Sequence, residues 1–142
     1  MATAYLTDKA SSTVPAKSMP SGVVAAVGSY TLSAALVIND TIQGPSIPAN
    51  AYLLDVIIDT PDLDSNGSPA VVLEAGISGS ASKFISASTV GQAGGIQKAN
   101  VAGTVGYSPT SDTPVIVKVS TAPATSATSG TIKIALLYSM DE

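Results

Sequence analysis

From Val27 onward the chain is a succession of short runs in which apolar and polar positions alternate, the pattern of strands that bury one face. The clearest is Ala51–Asp59, where Tyr52, Leu54, Val56 and Ile58 fall on one face and Leu53, Asp55, Ile57 and Asp59 on the other. Val71, Leu73, Ala75 and Ile77 alternate with Val72, Glu74, Gly76 and Ser78, and Val115, Val117 and Val119 alternate with Ile116, Lys118 and Ser120. Near the C-terminus Ile132, Ile134, Leu136 and Tyr138 alternate with Thr131, Lys133, Ala135 and Leu137. Further strands are predicted over Tyr30–Ile38 and over Ile42–Ile47, which Pro45 and Pro48 demote to an edge or irregular strand. Shorter ones are predicted at Phe84–Ala87, at Ile96–Val101 and around Tyr107. No segment after residue 26 has the period of a long amphipathic helix.

Some eight strands of this kind, broken by Gly, Pro, Asn and Asp, predict an all-β fold. The expected architecture is a two-sheet antiparallel sandwich, jelly-roll-like, rather than a parallel α/β layer. Its core is expected from the alternation to be Tyr52, Leu54, Val56, Ile58, Val71, Leu73, Val115, Val117, Val119, Ile132, Ile134 and Leu136. Residues 1–25 read differently: they are mostly polar, aperiodic and carry Pro15 and Pro20. They are predicted to be an extended N-terminal arm that tethers the molecule to a neighbouring subunit, ahead of a single domain over 26–142. The longest punctuated connections are Thr60–Pro69 and Ser120–Gly130.

A length of 142 residues suits one domain with one core, and the absence of cysteine removes disulfides, zinc–thiolate sites and thiol nucleophiles. Charge is scarce: 11% of residues are Asp, Glu, Lys or Arg, against about 25% in an average soluble domain, while 45% are hydrophobic. A surface so poor in Lys and Glu lacks the charge that keeps molecules apart, which points to permanent packing against neighbours. The net charge of −4, with six dispersed lysines, no Arg and no His, argues against nucleic acid. Apolar runs such as Ala34–Ile38 and Ala135–Tyr138 fall far short of the ~20 residues of a membrane span. No secretory h-region follows Met1, so the expectation is a soluble protein made without an export signal.

Candidate chemistry is thin. Without His, most acid–base and triad mechanisms have no base. Ser80-Ala81-Ser82-Lys83 has the S-x-x-K spacing, but the companion S-D-N and K-T-G elements are missing, and a turn with a solvated lysine accounts for it. Asp55, Asp59 and Glu74 lie at strand positions that make them ordinary solvent-facing carboxylates. Asp62-Leu63-Asp64-Ser65-Asn66-Gly67 opens like a calcium loop, in which alternating oxygens converge on a hard cation. The closing Glu should then stand at position 73, which is Leu, with Glu74 one place late, so a polar turn is expected instead. Gly91-Gln92-Ala93-Gly94-Gly95 lacks the Gly-Lys-Ser/Thr ending of a phosphate loop and is read as a flexible turn. The sequence therefore predicts no catalytic, cofactor-binding or metal-binding residues, and no enzyme.

Three segments resemble the head decoration, or cement, proteins of tailed bacteriophages. They are Val27–Leu32 running into Ile38–Gln43, the block Lys83–Val90, and Thr121–Ile132, the resemblance spanning about residues 26–139. It implies a β-sandwich, often jelly-roll-like, that binds the outer surface of the capsid and clamps neighbouring capsomers, and it brings no catalytic residues. The implied partners are the major capsid protein of the phage head and further copies of this chain, as a homodimer or homotrimer at a capsid symmetry axis. The implied location is the virion surface, after synthesis in the host cytoplasm. The rival expectation is a carbohydrate- or receptor-binding sandwich of a fibre or adhesin, disfavoured by the lack of Trp and the low count of one Phe and five Tyr. A small β-barrel enzyme rests on the Asp62–Gly67 pattern alone.

Overall fold

The computed structural model describes residues 2–7 and 22–140. Its strands are β1 (Ala4–Leu6), β2 (Val23–Thr31), β3 (Thr41–Ile47), β4 (Ala51–Thr60), β5 (Val72–Ile77), β6 (Ser80–Ser88), β7 (Gly95–Lys98), β8 (Thr113–Thr121) and β9 (Thr131–Met140), with a 3-10 turn at Val90–Gln92. One sheet has the order β1-β3-β8-β5-β6 and the other β2-β9-β4-β7. The antiparallel pairs β2–β9, β3–β8, β4–β7 and β5–β6 are nested one inside the next, so the chain is a long hairpin rolled into two sheets. That is the jelly-roll path, which limits free sheet edges by folding the ladder back over itself.

β9 shows how alternation becomes packing. Ile132, Ile134, Leu136 and Tyr138 are all fully buried, while Thr131 and Lys133 stand in solvent. Across the sandwich they meet Ile42 and Ile47 of β3, Leu73 of β5, Phe84 of β6 and Val115, Val117 and Val119 of β8, each no more than 1% exposed. Burying such a side chain stabilises by roughly 1.5–3 kcal/mol each, an upper bound because the unfolded chain is itself partly collapsed. Gly44 of β3 lets the sheets approach, since a Cβ there would lie 2.9 Å from the Ile134 Cγ2.

β4 departs from the expected register. Leu53 pairs with Tyr138 and Asp55 with Leu137, so Leu54 is the extra residue of a bulge and the phase changes there. Leu53, Val56 and Ile58 are buried as a result, Leu54 is half-buried and Tyr52 is exposed. Tyr52 and Leu54 are therefore not core residues; the other ten expected positions are. β3 is the irregular strand expected from Pro45, which has no N–H to offer a ladder and sits at a register shift between Gln43 and Ser46, but it is not an edge from Thr41 to Gln43, where β1 pairs it in parallel. β2 ends at Thr31 and not at Ile38, because residues 32–40 leave the sheet in a loop anchored by buried Leu32 and Leu36. Around Tyr107 the backbone bridges to β4, through Leu53 N–H to Tyr107 O and Gly106 N–H to Leu53 O, instead of extending as a strand.

The N-terminal segment also differs from expectation. Ala4–Leu6 lies along β3 of its own chain, Thr3 N–H donates to the buried Asp40 carboxylate at 2.6 Å, and the Tyr5 ring packs 5.0 Å from that of Tyr30. β2 begins at Val23, before the expected boundary at residue 26. The rest of the expected arm, residues 8–21, lies outside the described residues.

Candidate functional site

The connections 32–40, 61–71, 89–94 and 122–130 gather at one end of the sandwich, and Asp64 joins two of them. Its side chain is 1% exposed. Oδ2 accepts from the N–H groups of Ala70 (2.7 Å), Ala124 (2.8 Å) and Val71 (3.2 Å), and Oδ1 from those of Thr125 (2.9 Å) and Asn66 (3.3 Å). Burial pushes this carboxyl up, but the amides of Ala70, Thr125, Ala124 and Asn66 together outweigh it and hold the group well below the ordinary carboxylate range. The Ser126 hydroxyl continues the tie by accepting from Leu36 N–H at 2.9 Å, which brings in the 32–40 loop.

This arrangement explains the calcium-like spelling of the sequence. Asp62 Oδ1 accepts from Asp64 N–H at 3.0 Å and Asn66 Oδ1 from Ser68 N–H at 2.9 Å, successive Asx turns. The oxygens that a calcium loop would turn toward one cation are aimed at backbone amides. Among the described residues no group of three or more acidic or other ligating side chains is placed to hold a metal ion.

The other singled-out residues lie apart. Lys83 Nζ sits 4.8 Å from the centroid of the Tyr107 ring, a cation–π contact, while Ser80 opens β6 beside the Gly79 turn. Asp55 Oδ1 accepts from Val56 and Ala99 N–H, fastening the β4 bulge to the end of β7. Asp59 is exposed on β4, and Glu74 stands opposite Lys118 in the β5–β8 register. The Gly91–Gly95 turn packs on the Asp62 loop: Leu63 N–H donates to Gly91 O, and a Cβ on Gly94, already at φ +85°, would lie 2.9 Å from Asp62 N. Of the six aromatic side chains only Tyr52 is exposed, which leaves little for stacking a sugar.

On the outward face of the five-stranded sheet one row reads Thr41, Lys118, Glu74 and the next Gln43, Ile116, Gly76. On the four-stranded sheet the rows read Val23, Ser139, Tyr52; then Ala25, Leu137, Asp55; then Val27, Ala135, Ile57, Lys98; then Ser29, Lys133, Asp59, Ile96. Val23 is 61%, Val27 47% and Ile96 64% exposed. Sequence reasoning missed this face because Val27 and Ile57 fit any strand; only the register shows that they lie together on the side away from the core.

No protein-family model matches the chain, and no curated protein matches it. Solved structures do. A chain of the capsid of Ralstonia phage GP4 is 31% identical, with a TM-score of 0.87, over 98% of this chain and 99% of that one. A chain of the cyanophage Pam1 capsid asymmetric unit is 30% identical, with a TM-score of 0.76, over 94% of this chain and 97% of that one. A chain of the acidic stable capsid structure of Helicobacter pylori bacteriophage KHP30 shares the fold alone, at 14% identity and a TM-score of 0.59 over 87% of this chain and 92% of that one. No helix among the described residues is long and apolar enough to cross a membrane.

Proposed function

This chain belongs to the family of phage capsid proteins represented in the Ralstonia phage GP4 and cyanophage Pam1 capsids, and from that premise we propose that it is a decoration protein that cements the head. It binds the outer surface of the assembled capsid, contacts the major capsid protein across the seam between capsomers, and does no chemistry. The observation that carries the reading is the end-to-end match, 98% of one chain on 99% of the other, which makes the counterpart in that capsid a jelly roll of this same size. A small domain with one core and few charges suits attachment to a shell: surface buried across a seam adds binding free energy to the assembled state only. Copies that also contact one another at a capsid symmetry axis gain avidity without any single contact becoming strong. Such a protein is made in the host cytoplasm and ends on the virion surface.

The test uses capsids assembled without the protein. Adding the purified full chain is expected to saturate discrete lattice positions on the outer surface and to raise the temperature at which the shell opens. Absence of binding to intact capsids, or incorporation only during shell assembly as an integral lattice subunit, would overturn the decoration reading.

A further inference from the structure

We propose that Asn66 is a site of spontaneous covalent modification, at which the backbone nitrogen of Gly67 attacks the Asn66 carboxamide and ammonia is lost. The inference is independent of the capsid reading. Of the asparagines Asn39, Asn50, Asn66 and Asn100, only Asn66 is followed by glycine. The following residue decides whether its nitrogen is reachable, because a side chain there crowds the approach and restricts the backbone. Residues 65–68 are exposed, and a Cβ built on Gly67 would meet nothing within 4 Å, so neither a side chain nor a neighbouring segment screens this bond.

The hydrogen bonds around the carboxamide act in opposite directions. Ser68 N–H donates to Asn66 Oδ1 at 2.9 Å, which aims a donor at the atom that turns negative as the new bond forms. Asn66 Nδ2 donates to Thr125 Oγ1 at 2.9 Å, a bond that must break as the side chain turns toward Gly67 and that leaves electron density on the departing nitrogen. Thr125 is therefore the brake. The step balances without oxidant or reductant. Hydroxide takes the Gly67 N–H proton, the bond from that nitrogen to Cγ forms, the Cγ–Nδ2 bond breaks, and Nδ2 leaves as ammonia with a proton from water. Water then opens the succinimide ring at either carbonyl, giving aspartate or isoaspartate at position 66.

Either product changes the loop end. In the connections 32–40, 61–71, 89–94 and 122–130 the one exposed charged residue is Asp62, so a carboxylate at position 66 doubles the exposed charge there. The isoaspartate form also reroutes the backbone through the former side chain. Asp64 holds the N–H of Asn66 on one side of that change and the N–H of Ala70 on the other, at 3.3 and 2.7 Å. Lengthening the chain between them shifts these donors against one carboxylate, and the loop end loosens with age.

The test is incubation of the purified full chain in mildly alkaline buffer, followed by peptide mapping for the mass gain of an amide-to-acid exchange and for isoaspartate. Asn100 is the internal control: its Oδ1 accepts from Ser86 N–H at 2.8 Å and its Nδ2 donates to Ser86 O at 3.0 Å, so it is held at both ends like Asn66, but Val101 follows it. Conversion is expected at Asn66 and not at Asn100. Gly67→Ala, for which the structure leaves open space and a φ outside the left-handed region, should keep the melting temperature and slow conversion about tenfold, ~1.4 kcal/mol in the barrier. Thr125→Val keeps the Thr125 N–H bond to Asp64 and removes the acceptor of Nδ2, so conversion should quicken. Conversion at Asn66 no faster than at Asn100, a rate unchanged by Gly67→Ala, or no gain in Thr125→Val would each overturn the inference.

Discussion

The β4 bulge makes a quantitative prediction, because it exchanges the burial of two adjacent leucines. Leu53 is fully buried, its backbone flanked by β9 on one side and bonded to Gly106 and Tyr107, whereas Leu54, the inserted residue, is half-buried. Leu53→Ala removes three buried carbons, worth about 2.4 kcal/mol at ~0.8 kcal/mol per methylene. A residual cavity on the order of 50 Å³ adds about 1.2 kcal/mol at ~24 cal/mol per Å³, for a total near 3.5 kcal/mol. At Leu54 half the transfer effect survives and no closed cavity forms, so Leu54→Ala should cost about 1 kcal/mol. At about 4 °C per kcal/mol for a domain of this size, the melting temperature falls by about 14 °C in the first variant and about 4 °C in the second. Urea unfolding followed by tyrosine fluorescence and circular dichroism measures both. A larger loss for Leu54→Ala, or equal losses, would mean that β4 runs in simple alternation and that the bulge is wrongly assigned.

Asp64→Asn should loosen the loop end, lowering the melting temperature and admitting protease within 61–71 and 122–130, because an amide nitrogen would then face backbone N–H donors. The pH dependence has a definite sign: a carboxyl held below its ordinary value of 3.8 contributes stability that is fully present above that value and is lost only as pH falls below it. The gap in melting temperature between the unaltered chain and Asp64→Asn should thus be constant from pH 7 to about pH 5 and shrink only at lower pH; a gap that closes near neutrality would refute the assignment. Gly28→Ala should displace the N-terminal segment, since the new Cβ would lie 2.5 Å from Thr7 Oγ1, and hydrogen exchange should report it as lost protection of the Thr7 amide, which donates to Gln43 O. Neither EDTA nor millimolar calcium should move the melting temperature, as the side-chain oxygens of Asp62, Asp64 and Asn66 are engaged by amides; a calcium-induced rise of more than ~1 kcal/mol in stability would show that the loop rearranges around the ion.

Alternation made β9 and β8 legible, because both run without interruption and face the core on one side. The same reasoning failed at β4, where one extra residue changes the phase; at β6 the strand expected over Phe84–Ala87 is present, but Phe84 and Ile85 are both buried next to register shifts, so alternation gives no core face there. A bulge has no spelling of its own in a run such as Leu53-Leu54; it is set by the partner strand. The N-terminal segment was illegible for a related reason: Ala4–Leu6 is too short to show a period, and its place is fixed by the carboxylate of Asp40, more than thirty residues away in sequence. At the loop end the residue types around Asp64 were visible, but a turn and a cation site share the same oxygens until the direction of the amides is known.

Asp40, Asp55 and Asp64 show where part of the chain's small store of charge has gone. Each directs its carboxylate at backbone amides of a distant segment: Thr3 for Asp40, Ala99 for Asp55, and Ala124 and Thr125 for Asp64. Hydrogen bonds to an ionised acceptor are about twice as strong as neutral ones, so these three residues fasten the N-terminal strand, the end of β7 and the loop end to the sheets. Carboxylates used this way add little to the charge of the surface. Bonds sheltered from solvent are screened little, so the melting temperature should respond weakly to sodium chloride.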